Sequence, residues 1–156
     1  MPVSLTNEQT LPIRTRLLRK VARQLLANVQ LENGQVDLLL TNDEAVQSLN
    51  YEYRGFDKAT DVLSFAQRDA VEGAPDVPHL DQGPIILGDV VISVDTALRQ
   101  AEEHGVSLEQ ELALLTVHGM LHLLGYEDET EAGAIAMHAR ERELLGFTFP
   151  SAAIPG

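Results

Sequence analysis

The stretch from His118 to Asp128 constrains this chain most, because it sets His118 and His122 four residues apart and then breaks any helix at Gly125. Positions i and i+4 of a helix share a face about one turn apart, so both imidazoles can reach one ion. A glycine supplies the left-handed residue that commonly ends a helix, and the chain can double back within three residues. Asp128 is thereby returned toward the pair. Two imidazoles and a carboxylate with a fourth position open make the pattern of a catalytic zinc, whereas a structural zinc is usually closed by four ligands. The chain contains no cysteine, so a thiolate-built structural site is excluded. The competing reading is that both histidines are ordinary helix residues with satisfied hydrogen bonds and no metal.

The same spacing overlays the metzincin protease pattern, in which a glutamate general base follows the first histidine. Here that residue is Gly119, which cannot take a proton from water, so a peptidase of this kind would lack its base. Glu127 is the nearest substitute. Glu127 or Glu129 could also replace Asp128 as a ligand, and His138, on the last expected helix, is a reserve ligand. His79 and His104 read as solvated histidines in a loop and at a helix end.

A chain of 156 residues with 44% hydrophobic content suits one domain with a single core, spanning 1–156 with loosely ordered ends at 1–11 and 147–156. No apolar run approaches 18 residues and the N-terminus lacks the apolar segment of a secretory signal, so neither a membrane span nor export is expected. A cytoplasmic location is expected. The formal charge of -13 argues, on average, against nucleic acid, whose binding draws on Lys and Arg. The average hides a distribution: Arg14, Arg16, Arg19, Lys20 and Arg23 cluster near the N-terminus, and Arg54, Lys58 and Arg68 precede the midpoint. The N-terminal cluster is either a binding surface or the solvated face of an amphipathic helix.

Hydrophobic periodicity gives a helix over 12–28, with Ile13, Leu17, Leu18, Val21 and Leu25 on the core side. A strand follows at 35–41. Thr41 to Glu44 reads as a capping box opening a second helix that runs to Arg54 and buries Val46, Leu49 and Tyr53. Strands at 61–66 and 85–94 flank a polar segment, 67–84, read as a mobile loop, and Gly88 is a candidate bulge or close-approach point. Asp95 caps a helix to His104, and Ser107 with Gln110 makes a capping box for the helix that carries the histidine pair. A last helix covers 130–145. Helices grouped around three or four strands predict an α+β domain: a small mixed sheet, about five helices and a zincin-like metal-binding helix.

The junction from Arg54 to Phe65 concentrates charge and hydroxyl groups between a helix and a strand. Arg54 could present its planar fork to a phosphate and stabilise transition-state charge, or simply complement the negative end of its helix. Asp61, Ser64 and Asp89 read as turn and strand residues.

Together, the segments Leu49-Asn50 through Arg54, Thr60 through Phe65, Leu87 through Asp89 and His118 through Tyr126 resemble the YbeY family of bacterial endoribonucleases, or rRNA maturation factors, in order and spacing over about residues 36–146. The resemblance implies an α+β fold, a zinc ion, and metal-dependent hydrolysis of single-stranded RNA in ribosome biogenesis, including maturation of the 3′ end of small-subunit rRNA. It carries two histidine ligands onto His118 and His122 and the cleft arginine onto Arg54. The family usually continues Gly-Tyr-Asp-His where this chain has Gly125-Tyr126-Glu127-Asp128, so a carboxylate stands where a third imidazole is expected. Aspartate is a competent zinc ligand, and it suits harder ions such as manganese. The rival readings are a zincin-type metalloprotease and a non-catalytic ribosome-associated factor with a structural metal.

Overall fold

The computed structural model describes residues 3–67, 84–146 and 148–149. Its elements run β1 (Val3–Asn7), α1 (Thr15–Asn28), β2 (Gly34–Thr41), α2 (Asp43–Arg54), β3 (Val62–Ala66), β4 (Ile85–Ser93), α3 (Val94–His104), α4 (Leu108–Leu123) and α5 (Glu131–Leu145). The four strands form one mixed sheet in the order β1-β2-β4-β3, in which β1 and β4 lie parallel to β2 and β3 runs antiparallel to β4. The α+β architecture expected from the pattern is therefore present.

Strand alternation gives each sheet face its own cover. Val36, Leu38, Leu40, Val90 and Ile92 point into the main core with α1 and α4, while Leu63 and Val91 on the other face meet Val46 of α2. Between Gln35 and Val36 the register against β4 slips by one residue, so that Val36 pairs with Gly88. Gly88 has φ +143, and a Cβ there would lie 2.2 Å from the Phe65 carbonyl oxygen. The bulge anticipated at Gly88 is thus a place where only glycine fits.

The helix α4 lies at the centre, packed against α1, α3, α5, β3 and β4. Leu112, Ala113, Val117, Met120 and Leu121 are buried. Each fully buried leucine contributes about 1.5–3 kcal/mol, so sliding or rotating α4 would forfeit several such terms. This packing fixes where the histidine rings emerge. The Ser107–Gln110 capping box that opens α4 is formed reciprocally, as its sequence predicts.

Several local expectations are corrected. Residues 3–7, placed with the loosely ordered end 1–11, are an edge strand whose Val3 is buried; with alternate residues exposed and only five positions, they carry too short a pattern to stand out. The cap of α2 is Asn42, whose side chain accepts from the Ala45 N–H; Thr41 is a buried strand residue and makes no capping box. Tyr53, expected in the stripe of α2, is 63% exposed, and Asn50 is buried beside Val46 instead. The cap of α3 is Ser93, which accepts from Thr96, while Asp95 lies within the first turn and accepts from the Asp43 N–H. His104 is not simply solvated: its Nδ1 lies 2.9 Å from the carboxylate of buried Glu111. Most of the segment 67–84, His79 included, and most of 147–156 lie outside the described residues.

Candidate metal centre

The rings of His118 and His122 lie on one face of the last turns of α4, as four-residue spacing requires. The chain then reverses: Tyr126 donates its N–H to the Leu121 carbonyl and Gly125 to that of His122, with Gly125 at φ +100. This 6→1 and 5→2 pair is the Schellman ending that the glycine predicts. Two groups reach their places through this turn. The Tyr126 carbonyl returns over the helix end to lie 3.0 Å from His122 Nδ1, and Asp128 Oδ2 comes within 3.6 Å of His118 Nε2 and 3.7 Å of His122 Nε2.

The proton positions follow from these partners. A carbonyl can only accept, so His122 carries its proton on Nδ1 and presents a lone pair at Nε2. His118 Nδ1 faces the carboxylate of Glu141, a residue only 5% exposed, which holds it in the same tautomer. The two Nε2 atoms then face each other 3.2 Å apart. Two lone pairs at that distance repel unless a proton or a cation lies between them. A tetrahedral ion with bonds of about 2.0–2.2 Å spaces its donor atoms by about 3.3–3.6 Å, so the spacings of His118, His122 and Asp128 suit one. A ligating histidine oriented by a carboxylate or carbonyl at its other nitrogen is the usual supporting arrangement of such sites.

Burial opposes the charged form of His118, but the hydrogen bond and charge of Glu141, with the charges of Asp128 and Asp61, outweigh it and raise its pKa above the ordinary 6.5. A proton on His118 Nε2 would relieve the repulsion between the rings as a cation would.

The pair opens into a cleft of ≈ 430 Å³ whose wall brings Arg54, Asp61 and Ser64 from the α2–β3 junction to the histidines. Arg54 sits in the last turn of α2, before left-handed Gly55. Ser64 donates to the Gly119 carbonyl at 2.9 Å, which ties β3 to α4 and accounts for the hydroxyl without chemistry. Gly119 has an equally structural reason: a Cβ would lie 2.5 Å from Val90 Cγ1 and 3.2 Å from both Ser64 Oγ and Val62 Cγ2. The helix crosses the sheet too closely there for a glutamate. Glu127 and Glu129 line the cleft, but the converging group consists of His118, His122 and Asp128 alone among the described residues. His138 is not among them; its Nδ1 lies 3.4 Å from the second oxygen of Glu141.

Sequence reasoning missed Glu141 and gave Asp61 no place at the site. A signal for Glu141 was available, since Met137, Glu141, Leu144 and Leu145 form the buried stripe of α5, and a carboxylate in such a stripe needs a partner. Asp61 carries no comparable signal, because only the fold brings β3 to α4.

Comparison with known proteins follows the same lines. The family model described as Endoribonuclease YbeY matches residues 4–148. A protein of Moorella thermoacetica described as Endoribonuclease YbeY is 47% identical over 152 residues, covering 93% of this chain and 96% of its own length. A protein of the same description from Geobacter sulfurreducens is 41% identical over 148 residues, covering 93% and 94%. The solution structure of TM1509 from Thermotoga maritima superposes with a TM-score of 0.61 at 22% identity, covering 97% of this chain and 94% of that one, a likeness of fold. The match over residues 4–148, at more than 40% identity to relatives covered over nearly their whole length, makes this chain a member of the YbeY endoribonuclease family.

Proposed function

We propose that this chain is a metal-dependent endoribonuclease that cleaves single-stranded RNA, acting in rRNA maturation, including the 3′ end of small-subunit rRNA, and that it works in the cytoplasm on the ribosome or its small subunit. Beside membership of the family, one observation carries the reading: two imidazole lone pairs and a carboxylate converge in a cleft that also holds an arginine. His118, His122 and Asp128 would hold the ion, zinc by its donor set, with manganese admissible because of the carboxylate. When bound, the ion supplies a Lewis acid at the phosphate and lowers the pKa of water.

The rest belongs to the chain's own side chains. Asp61, Glu127, Asp128 and Glu129 make the cleft wall anionic, so a phosphate approaches on the side where Arg54 offers a planar pair of donors. There Arg54 steadies charge that builds on the phosphoryl oxygens. Glu141 and the Tyr126 carbonyl keep both Nε2 atoms aimed into the cleft. Glu127 is the carboxylate nearest in role to a base. The protease reading loses its support at Gly119, where packing against Val90 leaves no room for the glutamate that mechanism uses. No described helix is long and apolar enough to cross a membrane.

The test is metal content by mass spectrometry beside cleavage of a single-stranded RNA, for the native chain and Asp128→Ala. One ion per chain, weakened by Asp128→Ala with cleavage lost in parallel, is the expected result. A protein that takes up no metal, or that cleaves equally well without it, would overturn the reading.

A further inference from the structure

Beside the metal cleft, and sharing Arg54 and Thr60 with it, lies a second groove of ≈ 430 Å³ lined also by Asn50, Phe56, Lys58 and Ala59. Phe56, which has no polar atom on its ring, is 50% exposed. The Arg54 guanidinium lies 5.6 Å from its centroid, a cation–π contact that holds the ring against the cleft arginine. The loop carrying the ring is braced at several points. Phe56 donates its N–H to the Asn50 carbonyl, Asn50 Nδ2 donates to the Lys58 carbonyl at 2.9 Å, and Gln47 donates to Asp57. Buried Asn50, whose side-chain oxygen has no hydrogen-bond partner among the described residues, anchors the loop through its Nδ2.

We infer that this groove is a nucleotide subsite: one unpaired base of the RNA stacks on Phe56, and Lys58 holds a phosphate beside the one at Arg54. The inference rests on the endoribonuclease reading and deepens it. An aromatic face flanked by cations is how proteins hold single-stranded nucleic acid without reading its sequence, and base stacking needs an unstacked strand. The placement suits a strand running past the candidate metal site, because groove and cleft share Arg54 and Thr60. It also gives the acidic protein a cationic approach, since Arg54 and Lys58 line the groove with no carboxylate beside them, whereas Asp61, Glu127, Asp128 and Glu129 line the cleft.

The test compares binding of single-stranded oligoadenylate with that of an abasic oligomer of equal length, by fluorescence anisotropy after stopped-flow mixing. The native protein is expected to prefer oligoadenylate about 10-fold, the scale of one stacked base. Phe56→Ala abolishes that preference, Phe56→Trp keeps it, and Lys58→Ala weakens both oligomers alike. The chain has no tryptophan, so emission of the Phe56→Trp protein reports the site alone and is quenched by oligoadenylate but not by the abasic oligomer. Phe56→Ala with the full native preference, or unquenched emission in Phe56→Trp while oligoadenylate is bound and cleaved, would overturn the subsite and leave the nuclease reading standing. Native protein that neither binds nor cleaves either RNA would overturn both.

Discussion

Glu141 shows what a buried carboxylate does when its partner is a candidate ligand. Removing the carboxylate charge while keeping the shape, in Glu141→Gln, leaves the amide free to offer its N–H to His118 Nδ1, which lets the tautomer invert and turns the Nε2 lone pair into a donor. Metal affinity is expected to fall about 10- to 100-fold, read by competition with a chelating dye, while the fold persists. The pH dependence has opposite signs in the two forms. The raised pKa of His118 means that its stabilising contribution to the metal-free protein is fully present below 6.5 and fades as pH rises through the folded-state value above it. Metal needs the unprotonated nitrogen, so metal affinity should increase over that same rise. Melting temperatures of metal-free and metal-loaded protein should therefore diverge with increasing pH, and parallel curves would count against His118 as a ligand. Asp128→His replaces the anionic donor by a neutral one and should shift the zinc-to-manganese affinity ratio toward zinc; an unchanged ratio would show that Asp128 does not set the preference.

Among elements, α4 against the sheet is the decisive contact, and Gly119 measures its tightness. In Gly119→Ala the gain in helix propensity is worth at most about 1 kcal/mol, whereas overpacking against Val90 costs about 1–3 kcal/mol. A net loss of stability in denaturant is expected, and because His118 is the neighbouring residue, weaker metal binding should accompany it. A second inter-element bond sits at Asp43, which accepts from Ser93, Thr96 and Arg99 and so joins α2 to α3. Burial opposes its ionisation, but those hydrogen bonds and the charge of Arg99 hold its pKa below 3.8. Its stabilising contribution is present above 3.8 and is lost as pH falls through the lower folded value. Asp43→Asn should therefore lower stability at neutral pH and lose that difference in strong acid, checked by denaturant titration at both.

For the whole molecule, a formal charge of -13 must coexist with RNA binding. If phosphates meet only Arg54 and Lys58, the logarithm of affinity for a single strand should fall with the logarithm of salt at a slope of about -1.4. Participation of the five cations on and just before α1 would steepen it to about -5. The shallow slope is expected, because the buried side of α1 faces α4 and the core while its basic residues lie on the other side, and the cleft is built from α2, β3 and α4. Local signals in the sequence determined a good deal on their own: the Ser107–Gln110 cap, the Gly125 stop and the His118–His122 pair depend on groups within a few residues of one another, and each is visible as a spacing. The strand at 3–7 was hidden because its partner, β2, lies beyond an intervening helix and pairing at a parallel edge leaves little trace in five residues. The same reason separates the halves of the candidate site. Asp61 beside His118, Glu141 behind it, and the packing that requires glycine at 119 depend on α2, β3 and α5 converging on α4, and only burial of the core brings those distant residues together.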